Sequence, residues 1–191
     1  MNSRPEDSSA RAIASLAFEL GLLKRVRRSG WWQIGVSDPE SVADHSLRVA
    51  QLATAIAAEE GADPARAALL AIWHDSQETR TGDIPHTARP YLDKPVPAKI
   101  TADQTAHLPE LAGKTIRAAV DEYEEQRTPE ARCAKDADKL ECLIQAIEYQ
   151  QAGHTNAQGW IDNSRKALTT HTAQRIADAA LTTSVLAWRG R

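Results

Sequence analysis

The stretch HDSQETRTGD, residues 74–83, places His74, Asp75, Glu78 and Asp83 within one short window. On a helix, His74 and Glu78 stand four apart and Asp75 and Glu78 three apart, so their side chains are neighbours on one face. The preceding run AALLAIW is almost wholly apolar, which predicts a helix buried on most sides. Carboxylates at the buried carboxyl end of such a helix meet both desolvation and an unfavourable dipole. A divalent cation removes both penalties, and histidine with aspartate suits manganese, cobalt, iron or zinc. A second imidazole joins the pattern. His45 falls three residues after Val42 and four before Val49, inside an apolar stripe. A lone histidine there is ordinarily a core residue bonded to a carbonyl. Beside the His74 and Asp75 pair it becomes part of a ligand set drawn from separate helices, and KDADKLE, residues 135–141, offers a further ligand.

Helices must position these groups. Ile13, Leu16, Leu20 and Leu23 predict a first helix over 9–27, ending in the basic KRVRRSG. Asp38 and Pro39 form a cap and first-turn pair for a second over 39–60, with Val42, Val49, Leu52 and Ile56 on one face and Gly61 after it. Asp63 and Pro64 start a third, expected to run through the HD stretch and fail near Gly82. Residues 84–108 contain Pro85, Pro90, Pro95 and Pro97 and read as a loop that covers a substrate. A fourth helix over 109–126 buries Leu111, Ile116, Val120 and Tyr123. A fifth begins at Thr128 and Pro129, with Ala137, Leu140, Ile144 and Ile147 inward. QAGHTNAQGW is a loop, and 161–188 is helical again. No strand, repeat or glycine-rich phosphate loop is evident. The fold class is all-α, a bundle of about six or more helices.

The chain of 191 residues is long enough for one domain with a real core. A net charge of −3 gives no general pull toward a nucleic acid polymer or an anionic membrane. No apolar run approaches the roughly 20 residues of a membrane span, and Glu19 interrupts the amino-terminal one. Cys133 and Cys142 lie about 13 Å apart along one predicted helix, too far for a disulfide within it. A cytoplasmic setting is therefore expected.

His45 in ESVADHS, the His74–Asp75 doublet, Glu78, TGD ending at Asp83 and the aspartate of KDADKLE together resemble the HD-domain metal phosphohydrolases. Within these the chain is most similar to the 5′-deoxynucleotidase and HD domain-containing protein 2 subgroup. LKRVRRSGW and DPESVADHS contribute to a likeness that spans about residues 13–150. It implies a single HD domain over 1–191, with 161–188 as a carboxyl-terminal helical extension, and homodimerisation. It implies one divalent metal ion (manganese, cobalt, magnesium, iron or zinc) held by His45, His74, Asp75 and Asp138. Asp138 is preferred to Asp136 because the family's last aspartate stands two residues before an apolar position, here Leu140; Asp136 is the exposed alternative.

The resemblance further implies hydrolysis of nucleoside 5′-monophosphates, with deoxyribonucleotides expected. Glu78 and Asp83 form the catalytic pair. Glu78 either orients or deprotonates the attacking water or holds His74 in place. Asp83 faces the sugar, and Ile84, Pro85 and His86 line the nucleoside pocket. Arg27 and Arg28 are candidates for the phosphate. The bacterial pattern has an arginine directly before the tryptophan, whereas Gly30 precedes Trp31 here. Trp31 either stacks on a base or closes the core. Two other function classes fit parts of the pattern: an HD-type di-iron oxygenase, for which His86 and His107 would be the extra ligands, and a non-catalytic nucleotide-binding module with a structural metal.

Overall fold

Ser41, Asp63, Thr128 and Thr170 each cap the start of a helix in this chain through a side-chain oxygen. The computed structural model describes residues 5–190, so the ends of the expected 1–191 domain lie outside the described residues. Helix α1 (Pro5–Leu20) stops well short of the expected residue 27. After a short 3-10 turn, Gly21–Lys24, the basic segment runs extended. Arg27 pairs with Ser41 in an isolated bridge, and Val42 N donates to Val26 O at 2.9 Å. KRVRR is thus a strap across the start of the next helix, and a second 3-10 turn, Ser29–Ile34, follows it. Along α1, Leu16 is buried but Ile13 is exposed.

Helix α2 (Val42–Glu60) begins at Ser41 rather than at Asp38. The Ser41 hydroxyl accepts from Asp44 N at 3.1 Å and the Asp44 carboxylate accepts from Ser41 N at 3.0 Å. This reciprocal box satisfies two amides at once. Glu40 is drawn elsewhere, its carbonyl accepting from Arg28 N at 3.1 Å and its N–H donating to the Tyr149 hydroxyl at 2.9 Å.

Helix α3 (Pro64–Trp73) starts as its sequence predicts, with the Asp63 carboxylate accepting from Ala65 N and Arg66 N. It does not continue to Gly82. From residue 74 the amides bond to carbonyls three residues back, as in Ser76 N to Trp73 O and Glu78 N to Asp75 O. The Ser76 hydroxyl also donates to Trp73 O at 2.9 Å, competing with the helical partner of that carbonyl. A separate turn of helix, α4 (Glu78–Thr81), follows, and Gly82 then takes a φ of 70°. That backbone is easy for glycine, and it swings Asp83 toward Ser29.

The proline-rich stretch is more ordered than a loop, holding a 3-10 turn, His86–Tyr91, and α5 (Pro97–Thr105), where Pro97 fits the first turn. In α6 (Glu110–Glu125), Val120 and Tyr123 are buried but Leu111 is 78% exposed. The inward stripe extends back from Ile116 to Gly113, three residues away, and leaves Leu111 off it. Helix α7 (Pro129–Gln151) is capped by Thr128. The expected tail helix divides into α8 (Gln158–Ala167), after a 3-10 turn at Thr155–Ala157, and α9 (His171–Ala180).

Asp136 causes that division. It is buried, not exposed, and accepts from Thr169 N at 2.9 Å, Thr170 N at 2.6 Å and the Thr170 hydroxyl at 2.7 Å. Thr170 in turn caps α9 through Ala173 N. Helices α2, α3 and α7 form the centre, where Ala53, Ala67, Ala71, Ala134 and Ala137 permit close approach around Ile56, Leu70, Leu140 and Leu143. Helices α6, α8 and α9 pack around them. Among the described residues there are nine α-helices and no strand, and none of these helices is long and apolar enough to cross a membrane.

Candidate metal centre and active site

The first turn of α2, the carboxyl end of α3 and the middle of α7 bring His45, His74 and Asp138 together, all buried, with one ligand atom of each within 4.8 Å of the others; Asp75 stands beside this group rather than within it. His45 Nε2 lies 3.5 Å from Asp138 Oδ1 and 3.7 Å from Asp75 Oδ2, and His74 Nε2 lies 3.1 Å from Asp75 Oδ2. Adjacent donors around an octahedral ion at about 2.1 Å stand about 3 Å apart, so these separations suit a common cation.

The outer nitrogens of both imidazoles are already engaged. His45 Nδ1 pairs with Glu141 Oε2 at 2.5 Å and His74 Nδ1 with Ala71 O at 2.6 Å. Each acceptor directs the Nε2 lone pair inward. His45 Nε2 and His74 Nε2 are buried with no hydrogen-bond partner. Leaving such atoms unsatisfied is costly, and a cation is what their arrangement fits.

The surroundings are charged. Despite burial, His74 and Arg28 hold Asp75 below the usual carboxylate range, and Lys139 and His45 do the same for Asp138. Burial and Arg28 oppose protonation of His45, but Glu141 and Asp138 overcome them and carry it up to about 9. A metal must displace that proton. Its affinity is therefore expected to fall about tenfold per unit as pH drops from 9 toward 6, measurable by titration with a competing chelator.

Glu78 begins α4, beside this cluster. Burial, with Asp75 and Asp83 nearby, pushes its carboxyl up to about 10. Its Oε2 is buried without a partner. His74 needs no help from Glu78 for its orientation, because Ala71 O already supplies it.

The other expected residues divide. Arg28 is drawn in, with Nη1 3.5 Å from Asp75 Oδ2 and 3.9 Å from Asp83 Oδ1. Arg27 instead turns away to Asp38 at 2.8 Å and is not among the cavity-lining residues, because the extended strap points successive side chains to opposite sides. Asp83 is anchored more than a sugar-facing carboxylate would be: its Oδ2 accepts from Ser29 N at 2.5 Å and from the Ser29 hydroxyl at 3.0 Å. Trp31 is 2% exposed, donates to Glu40 Oε1 at 3.0 Å and packs edge-on against Tyr149, which makes it chiefly a core residue. Ile84, Pro85 and His86 line the cavity, about 980 Å³, that opens over His74, Asp75 and Glu78.

Sequence reasoning missed several groups. Glu141 is fully buried, joins His45 to Arg48, and is held below the usual carboxylate range, despite burial, by His45 and Arg48. Its signal was its place three residues after Asp138, on the same face of α7. Glu141→Gln is expected to weaken metal binding by about 10- to 100-fold, as read by metal retention on dialysis. Lys139 Nζ and Lys135 Nζ lie 3.0 and 3.4 Å from Asp138 Oδ2, and the Tyr123 hydroxyl donates to the same oxygen.

A family model described as HD domain matches residues 20–180. The chain belongs to the HD-domain family. It is 36% identical to human 5′-deoxynucleotidase HDDC2 over 147 residues, 76% of this chain and 72% of that protein. It is 32% identical to the Dictyostelium discoideum 5′-deoxynucleotidase HDDC2, over 76% of this chain and 84% of that one. Among solved structures, a conserved hypothetical protein from Pyrococcus furiosus superposes with a TM-score of 0.74 at 32% identity, covering 89% of this chain and 99% of the other. In this HD domain the His74–Asp75 doublet thus sits at the break between α3 and α4, facing the first turn of α2 and the middle of α7.

Proposed function

We propose that this HD-domain protein is a metal-dependent phosphomonoesterase that converts nucleoside 5′-monophosphates, deoxyribonucleotides foremost, to nucleoside and inorganic phosphate. The observation that carries the reading is that the unpartnered, buried His74 Nε2 and Glu78 Oε2 belong to residues lining a cavity that also holds Arg28 and Asp138, with the unpartnered His45 Nε2 grouped behind them with His74 and Asp138. The similarity to proteins named 5′-deoxynucleotidase supports the substrate class. His45, His74, Asp75 and Asp138 would hold one divalent ion, which supplies a lowered pKa for water and compensation of phosphoryl charge when bound.

The chain's own groups do the rest. Water attacks phosphorus, the bond from phosphorus to the nucleoside 5′ oxygen breaks, and Glu78 accepts the water's proton and can return it to the departing oxygen. Arg28 offers paired N–H donors to the phosphate, held in place by Asp75 and Asp83. Asp83 serves the reaction by fixing the Arg28–Ser29 segment.

A di-iron oxygenase would need a second ligand cluster. The clusters found among the described residues contain neither His86 nor His107. A purely structural metal would leave the burial of Glu78 Oε2 without purpose. The test is phosphate release from all common nucleoside monophosphates with each of several divalent ions, beside iron content and oxygen uptake. Selective, ion-dependent release is expected; no turnover with any ion would overturn the reading. A cytoplasmic setting and a homodimer belong to the same proposal, the latter checked by sedimentation.

A further inference from the structure

The cavity has two chemically different sides. Of its cations, Arg28, Lys135 and Lys139 gather near the candidate metal ligands, while Arg89 and Lys94 come from the proline-rich segment. Another wall comes from α8: Gly159, Trp160, Asn163, Ser164 and Ala167 all line the cavity, and none carries a charge. On a helix these positions fall on one face, while Gln158, Asp162 and Arg165 lie about half a turn away. The side-chain hydrogen bonds of α8 are made on that opposite face, from Gln150 to Gln158, Gln158 to Asp162 and Arg165 to Asp178. The Trp160 N–H and the Asn163 amide are left to the cavity.

Gly30 takes part. A Cβ at that position would stand 3.7 Å from Trp160 Nε1, so glycine leaves the indole N–H open where a longer side chain would project across it. The Trp160 ring is fixed by Trp31, with centroids 5.7 Å apart. A fixed donor and, one turn on, an amide that both donates and accepts are suited to the edge of a nucleobase. They are poorly suited to a phosphate dianion, which the cations serve.

We infer that the Trp160 N–H and the Asn163 amide of α8 recognise the nucleobase and so set substrate preference. This rests on the nucleotidase reading. The test compares wild type, Asn163→Ala and Trp160→Phe on a nucleoside monophosphate panel, on deoxyribose 5-phosphate, which has the sugar but no base, and on p-nitrophenyl phosphate. Asn163→Ala is expected to raise KM for the preferred nucleotides about tenfold with kcat nearly unchanged, and to narrow the differences between bases. Trp160→Phe, which keeps an aromatic ring but removes the N–H, should act in the same direction. Neither should alter turnover of the two base-free esters or the metal content.

Equal losses on all esters, or no change on nucleotides, would overturn the inference. If wild type hydrolyses none of these esters, the nucleotidase reading fails. Titration calorimetry of nucleoside monophosphates into metal-loaded protein then decides the inference separately: binding weakened about tenfold by Asn163→Ala supports it, and absent or unaltered binding overturns it.

Discussion

Glu78→Gln is expected to lower the rate of phosphate release by about 10²- to 10⁴-fold while leaving metal content unchanged. The substitution keeps the size and hydrogen-bonding capacity of the side chain and removes only its ability to take a proton. Glu78 is not one of the four residues proposed to hold the ion, so the cation should remain. A role in holding His74 predicts a different result, since glutamine could still accept or donate there. The Ala71 carbonyl already holds His74 Nδ1 at 2.6 Å, which argues against that role. The sign of the pH dependence follows. Burial and the Asp75 and Asp83 carboxylates push Glu78 up to about 10, and nearby positive charge opposes that shift. Because only the ionised carboxylate accepts a proton, the wild-type rate should rise with pH through the Glu78 ionisation. The glutamine variant should lose that limb. A rate profile of both proteins, with metal measured at each pH, is the check.

The central helices and most ligand candidates were legible because their signals are local. Asp63–Pro64 and Thr128–Pro129 carry complete start signals in adjacent residues, and both helices begin there. His45 was conspicuous because an imidazole in an apolar stripe breaks the pattern. What remained hidden depends on partners distant in the chain. Asp38–Pro39 is a sound local cap, yet Ser41 starts α2 because the 26–28 strap fixes the segment before it. The break between α3 and α4 has no glycine or proline to announce it. Arg27 and Arg28 look alike in sequence, and only the strap's alternation sends one toward Asp38 and the other to Asp75. Trp160 and Asn163 sit in a segment with an unremarkable pattern, and become cavity residues only when α8 packs on α7.

The pair Asp136 and Asp138 shows how far two residues in one charged run can differ, and substitution of each should separate stability from metal binding. Asp138→Asn is expected to reduce metal affinity by at least about a thousandfold, abolish phosphate release and remove the rise in melting temperature that bound metal gives the wild type. It takes one negative charge from the ligand set and leaves Lys135 and Lys139 without their shared carboxylate. The fold should survive, because the hydrogen bond Asp138 receives from another helix, that of the Tyr123 hydroxyl at 3.3 Å, can also be accepted by an asparagine oxygen. Asp136→Asn should do the reverse. Its carboxylate receives the amides of Thr169 and Thr170 and the Thr170 hydroxyl, and so fixes the α8–α9 corner to α7. Charge-assisted bonds of this kind contribute about 1.5–3 kcal/mol each, so a net loss of about 2–4 kcal/mol in denaturant unfolding is expected, with metal stoichiometry intact. Metal loss in the Asp136 variant, or full metal retention in the Asp138 variant, would show that α7 presents the other aspartate to the ion.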